Sequence, residues 1–199
     1  QDLVKDNWGK YLYIRDLQTM EYWSAAYKPV MHTYDEYRVV HGLGYTRFLQ
    51  QVSGIRSELT VFVTAQDPVE LMELRLTNVG AAHRELDVTA YVEWLLGFAP
   101  DEHREFHKLF IETWAEAGRR AVLARKYLWG FPDDHGRHNN SDWPYTAFLA
   151  ASEPLKSFDC DKESFVGLYE SEEHPQAMRR ERLAGRSGRF GDAVAALQV

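Results

Sequence analysis

Two polar clusters in this sequence have residue types and spacings that could do chemistry. The denser one runs Asp133-Asp134-His135-Gly136-Arg137-His138-Asn139-Asn140-Ser141-Asp142, with an indole near either end in Trp129 and Trp143. Carboxylates and imidazoles at these intervals could ligate a cation, but they match no closed zinc or calcium pattern, and a solvated loop is the simpler reading. Indole rings beside hydrogen-bonding side chains also make the mixture that a sugar site uses, with Trp143 and His138 as its candidate residues. The competing reading has both indoles anchoring the core.

The second cluster, Glu102-His103-Arg104-Glu105-Phe106-His107-Lys108, follows the turn-like Ala99-Pro100-Asp101. His107 and Lys108 beside acidic groups could act as acid, base or phosphate clamp, or be ordinary loop residues. A glycosidase needs two carboxylates flanking the scissile bond, and among 30 acidic residues no such pair is readable. No GxSxG, Walker A, GxGxxG or HExxH pattern occurs. His41-Gly42-Leu43-Gly44 lacks the third glycine and following helix of a dinucleotide loop. The paired glycines are expected to let a strand bend or bulge.

The elements that must position these clusters have a period of two. Ile55 to Val63 puts Ile55, Leu59, Val61 and Val63 on one face and Arg56, Glu58 and Thr60 on the other, the pattern of a half-buried strand. Val69 to Asn78 and Glu85 to Leu96 repeat the theme, and for ELMELRL the strand reading ranks above the helical one because its neighbours are strand-like. Tyr11 to Arg15, Tyr37 to Val40 and Tyr45 to Val52 also read as strands, the last turning at Ser53-Gly54. So do Lys108 to Thr113, Ala121 to Tyr127 and Tyr145 to Ala150. Such closely spaced strands predict an all-β fold, a large two-sheet antiparallel β-sandwich. Residues 1–156 are expected to form its body, and 157–199 a polar wrapping segment that leads into a further strand of the same domain.

Composition narrows the function classes. The 199 residues suffice for one substantial core, and 45% hydrophobic residues exclude disorder. A net charge of −7 disfavours nucleic acid and anionic membrane as partners, and the short basic run Arg179-Arg180-Glu181-Arg182 reads as a solvated face. The single cysteine, Cys160, excludes an intrachain disulfide and fits a reducing, cytoplasmic setting. The first residues carry no signal-peptide core.

Several ordered segments point further: Gly9-Lys10-Tyr11-Leu12-Tyr13-Ile14-Arg15-Asp16, Tyr22-Trp23-Ser24, Lys28-Pro29-Val30, the HGLGYTRF stretch from His41, Leu76-Thr77-Asn78, Tyr91-Val92-Glu93, Ser157-Phe158-Asp159, and Asp161-Lys162-Glu163-Ser164-Phe165-Val166-Gly167. Together they resemble the N-terminal domain of the inverting disaccharide phosphorylases of glycoside hydrolase family 94. That group includes cellobiose, cellodextrin and chitobiose phosphorylases and part of the cyclic β-1,2-glucan synthases. The chain departs from the family pattern at Ala25, Lys162 and Val166, where the family often has Pro, Arg and Leu.

The resemblance implies a galactose mutarotase-like super-sandwich, incomplete at both ends here, and non-catalytic. In the family it supports an (α/α)6 barrel that supplies an Asp general acid, while inorganic phosphate, a co-substrate rather than a cofactor, attacks the anomeric carbon. It also implies a homodimeric parent in which a loop of the sandwich reaches the neighbouring subunit's acceptor-sugar site. Lys108, with His107 beside it, falls at the basic position of that loop. The expected partners are therefore an oligosaccharide of β-glucan type, the catalytic barrel and a second subunit. A free-standing carbohydrate-binding module using Trp143 is the alternative, and a mutarotase-type enzyme ranks third because a shared fold does not transfer activity.

Overall fold

A computed structural model describes residues 9–97, 107–127, 135–136, 142–188 and 192–199. These form antiparallel sheets and, among the described residues, one short α-helix, as the period-two patterning predicts. The chain divides into two compact units, Tyr11–Val88 and a second made of Gln1–Lys10 with Thr89–Val199.

The first unit contains β1 (Lys10–Asp16), β2 (Tyr22–Ser24), β3 (Glu36–Gly42), β4 (Tyr45–Val52), β5 (Ile55–Val63), β6 (Glu70–Asn78) and the start of β7 (Leu86–Glu93). Strands β3 to β6 make a four-stranded meander. Its alternation sets the register: Ile55, Ser57 and Leu59 of β5 are buried, and Leu59 pairs Phe48 on one side and Leu74 on the other. ELMELRL lies within β6, so the pairing demands of its neighbour override helix propensity.

The Gly42-Leu43-Gly44 unit is not a bend or bulge inside a strand. Gly42 pairs Tyr45, which leaves Leu43 and Gly44 as a two-residue hairpin loop with Gly44 at φ 82°. A positive φ at the second turn position demands glycine. Gly42 is needed for another reason, because a Cβ there would lie 2.1 Å from the Tyr45 ring. The next hairpin turns at Ser53-Gly54, as expected, with φ values of 49° and 79° that match the right-handed twist of the flanking strands.

Buried charges fasten β1 to the start of β7. Arg15 donates to Asp87 through Nε (3.2 Å) and Nη2 (2.5 Å), and both side chains are almost wholly buried. Asp16 accepts from Arg84 and from the backbone N–H groups of Gln18 and Thr19. Burial pushes its carboxyl up, but these donors together hold it below the usual range.

The second unit is itself a two-layer sandwich. One layer orders β11 (Ser157–Asp161), β12 (Ala193–Gln198) and the end of β7. The other orders β10 (Ala147–Ala150), β9 (Ala121–Lys126) and β8 (Ile111–Glu116). Val92, Trp94, Ile111, Val122, Cys160, Ala195 and Leu197 form the core between them. Every residue of β12 is buried, as befits a central strand with neighbours on both edges and layers on both faces. The outer face of its sheet carries Tyr91, which stacks on Phe165 of helix α1 (Lys162–Val166) with ring centroids 4.6 Å apart. Gly167, at φ 100°, ends that helix.

One further expectation is revised. Lys108 to Thr113 is not all strand, because His107–Phe110 forms a 3-10 turn and pairing with β9 begins at Ile111. The basic run is a largely solvated face, as expected, with Arg179 paired to Glu170, Arg180 donating to the Ser164 carbonyl and Arg182 to the Lys156 carbonyl. No helix among the described residues is long and apolar enough to cross a membrane.

Candidate functional site

Alternation along β7 sends Val92 into the core and turns Tyr91 and Glu93 to the opposite face, where α1 packs. Glu93 is thereby the most deeply placed acid of a charge network, with its side chain 2% exposed. Lys108, arriving from the 3-10 turn before β8, places Nζ 2.8 Å from Oε2. Lys162, the first residue of α1, places Nζ 2.6 Å from Oε1, to which the Tyr91 hydroxyl also donates at 3.1 Å. Lys162 reaches the buried Glu172 at 3.3 Å, and Lys108 lies 3.9 Å from Asp192.

The electrostatics follow from this arrangement. Burial pushes the Glu93 carboxyl up, but hydrogen bonds and charge from Lys108 and Lys162 outweigh it and hold the group below its ordinary range. Burial pulls the Lys162 ammonium down, and Glu93 and Glu172 more than reverse that. Glu93 and Lys162 thus hold one another in their charged forms. An acid held this firmly ionised does not protonate a leaving group near neutral pH.

Beneath α1, Asp159 accepts the Ser164 hydroxyl at 2.6 Å, and burial raises its carboxyl despite that bond. Burial likewise pushes the Cys160 thiol up to about 12.

Of the residues singled out from sequence, Lys108 is tied to Glu93 and only 16% exposed. His107 opens the 3-10 turn. The backbone N–H of Trp143 donates to the Lys126 carbonyl at 3.0 Å, and the Trp143 ring meets Tyr145 edge-on at 5.4 Å, with Tyr145 65% exposed. Because Ile111 pairs Lys126, Lys108 and Trp143 enter the same end of the β10-β9-β8 sheet. His138 and Trp129 lie outside the described residues.

The residues that sequence reasoning missed are Glu93 and Lys162. Both stood in quoted segments, but nothing in the sequence marks two residues so far apart as partners.

A family model described as the glycosyl hydrolase 94 supersandwich domain matches residues 1–199. Solabiose phosphorylase of Paenibacillus borealis is 31% identical over 96% of this chain and 23% of its own length. N,N'-diacetylchitobiose phosphorylase of Vibrio proteolyticus is 26% identical over 90% of this chain and 21% of its own length. The cyclic beta-(1,2)-glucan synthase of Rhizobium meliloti (strain 1021) is 28% identical over 83% of this chain and 6% of its own length. This chain therefore spans less than a quarter of the length of these relatives. With the model matching from end to end over antiparallel sheets, the chain belongs to the glycosyl hydrolase 94 supersandwich family.

Proposed function

We propose that this chain is the non-catalytic, carbohydrate-associated sandwich of an inverting β-glucoside phosphorylase. In this reading it works in the cytoplasm, supports an (α/α)6 catalytic barrel and a homodimer, and lends a loop to the acceptor-sugar site. Neither nucleic acid nor membrane is a partner. The observation that carries the reading is the Glu93 clamp, because the Glu93–Lys108 pair ties the two ends of segment 94–107 together. A basic residue held by a buried counter-ion keeps a defined position, which a shared sugar site requires. The relatives include solabiose phosphorylase and N,N'-diacetylchitobiose phosphorylase, and phosphorolysis of a β-linked disaccharide is the reaction assigned here to the assembled enzyme.

The test measures phosphate-dependent release of sugar 1-phosphate from cellobiose, laminaribiose and N,N'-diacetylchitobiose. The chain alone should release none, and a polypeptide joining it to a barrel should release it with inversion. There, Lys108→Met should raise the acceptor KM in the synthetic direction by on the order of tenfold, the loss of one charged contact. Sugar 1-phosphate from the chain alone would sink the proposal.

The exposed Tyr145 against Trp143 favours one second reading, a free-standing carbohydrate-binding module. It requires the isolated chain to bind sugar and Trp143→Ala to abolish that binding.

A further inference from the structure

Strand β6 ends the meander of the first unit and, among the described residues, pairs in its sheet with β5 alone. Natural sheets guard such an edge with proline, lysine or a bulge. The ELMELRLTN of β6 holds neither proline nor lysine, runs in unbroken register along β5, and puts Met72, Leu74 and Leu76 on the face of the buried Leu59.

The hydrogen-bonding parity of β6 is set at both ends. The Thr64 N–H donates to the Val69 carbonyl at 3.1 Å, and the Val79 N–H to the Gly54 carbonyl at 2.9 Å. Counting by twos from either end, Leu71, Glu73, Arg75 and Thr77 bond to β5, while Met72, Leu74 and Leu76 turn their N–H and C=O groups to the open edge.

A second copy of this chain fits that edge in one antiparallel register. A two-fold axis at Glu73 or Arg75 sets like charges opposite each other, and an axis at Met72 or Leu76 sets each charge against an uncharged residue. An axis at Leu74 joins Met72 to Leu76 by hydrogen bonds and sets Glu73 opposite Arg75 twice. Those charge pairs fall at the non-hydrogen-bonded positions, where facing side chains come closest. Glu73 and Arg75 are both exposed in the single chain.

We infer that β6 is a self-complementary docking edge, which joins two copies of this chain about a two-fold axis at Leu74 into one continuous sheet with four strands from each. It deepens the homodimer of the proposed function and rests on that reading only for the expectation that two copies meet. One strand pair is a small interface, so monomer and dimer should exchange.

Sedimentation velocity over a concentration series, with hydrogen exchange read at single amides, tests it. The chain should dimerise as concentration rises. The Met72, Leu74 and Leu76 amides should then slow, while those of Leu71, Glu73 and Arg75, already bonded to β5, change little. Glu73→Arg and Arg75→Glu should each weaken the dimer on the order of tenfold, because like charges then face each other twice. Mixed in equal amounts, the two variants should restore it, since each offers the charge that the other lacks, and that rescue requires both to be folded. A chain that stays monomeric overturns the inference and leaves the edge to another segment of a longer polypeptide. A dimer that ignores both reversals, or that mixing does not restore, overturns it as well. Neither result touches the sugar 1-phosphate assay, so the two ideas fall separately.

Discussion

At Glu93 one carboxylate serves two lysines, and the consequences of removing it are calculable. Glu93→Gln leaves Lys108 and Lys162 as half-buried charges without their main counter-ion, at a cost of about 3 kcal/mol by analogy with broken buried pairs. Urea unfolding of the variant should show a lower midpoint with an unchanged slope. The same residue shapes the acid limb. Its folded carboxyl sits below the ordinary 4.5, so its contribution is fully present above that value and fades as pH falls through the lower, folded one. Lys162 mirrors this, because its ammonium is raised above 10.5 and its contribution is full below that value and lost as pH climbs through the folded one. Asp159 works in the opposite sense. Its raised carboxyl costs stability near neutrality, and that cost is relieved as pH falls through its folded value. Stability measured from pH 3 to 11 should therefore fall at both ends, and Glu93→Gln should flatten the acid limb.

Among the elements, the hairpins are the most exposed to single changes. Gly54→Ala forces alanine into φ 79° and should cost about 1–2 kcal/mol, read as a fall in thermal midpoint. Gly42→Ala should cost less despite its closer clash, because the obstructing Tyr45 ring is partly exposed and free to swing away. These turns also mark where sequence reading succeeds and where it stops. Strands β4 and β5 were legible residue by residue, since alternation is a local property and each borders a Ser53-Gly54 turn. Gly42 and Gly44 were noticed but misassigned, because a bulge and a two-residue loop differ only in which residues pair across the strands. For Lys108 the sequence supplied a charged side chain near a strand. That it turns back onto Glu93 depends on a 3-10 turn and a partner fifteen residues earlier, which no local pattern encodes.

On the scale of the whole molecule, Cys160 reports on the sandwich of the second unit. It is fully buried in the core between the layers, and its thiol is pushed up to about 12. A thiol reagent at pH 8 should leave the native chain unmodified and label one site once denaturant is added. Labelling in native buffer would mean that this sandwich opens readily. Strand β12 has a different consequence. It lies directly beside β7, with Val194 opposite Glu93, although roughly a hundred residues separate them along the chain. On a ribosome adding about 5–20 residues per second, β7 leaves the exit tunnel some 5–20 s before its neighbour exists. Over that interval nascent β7 presents an open hydrogen-bonding edge, which exposes this unit to mispairing until β12 arrives.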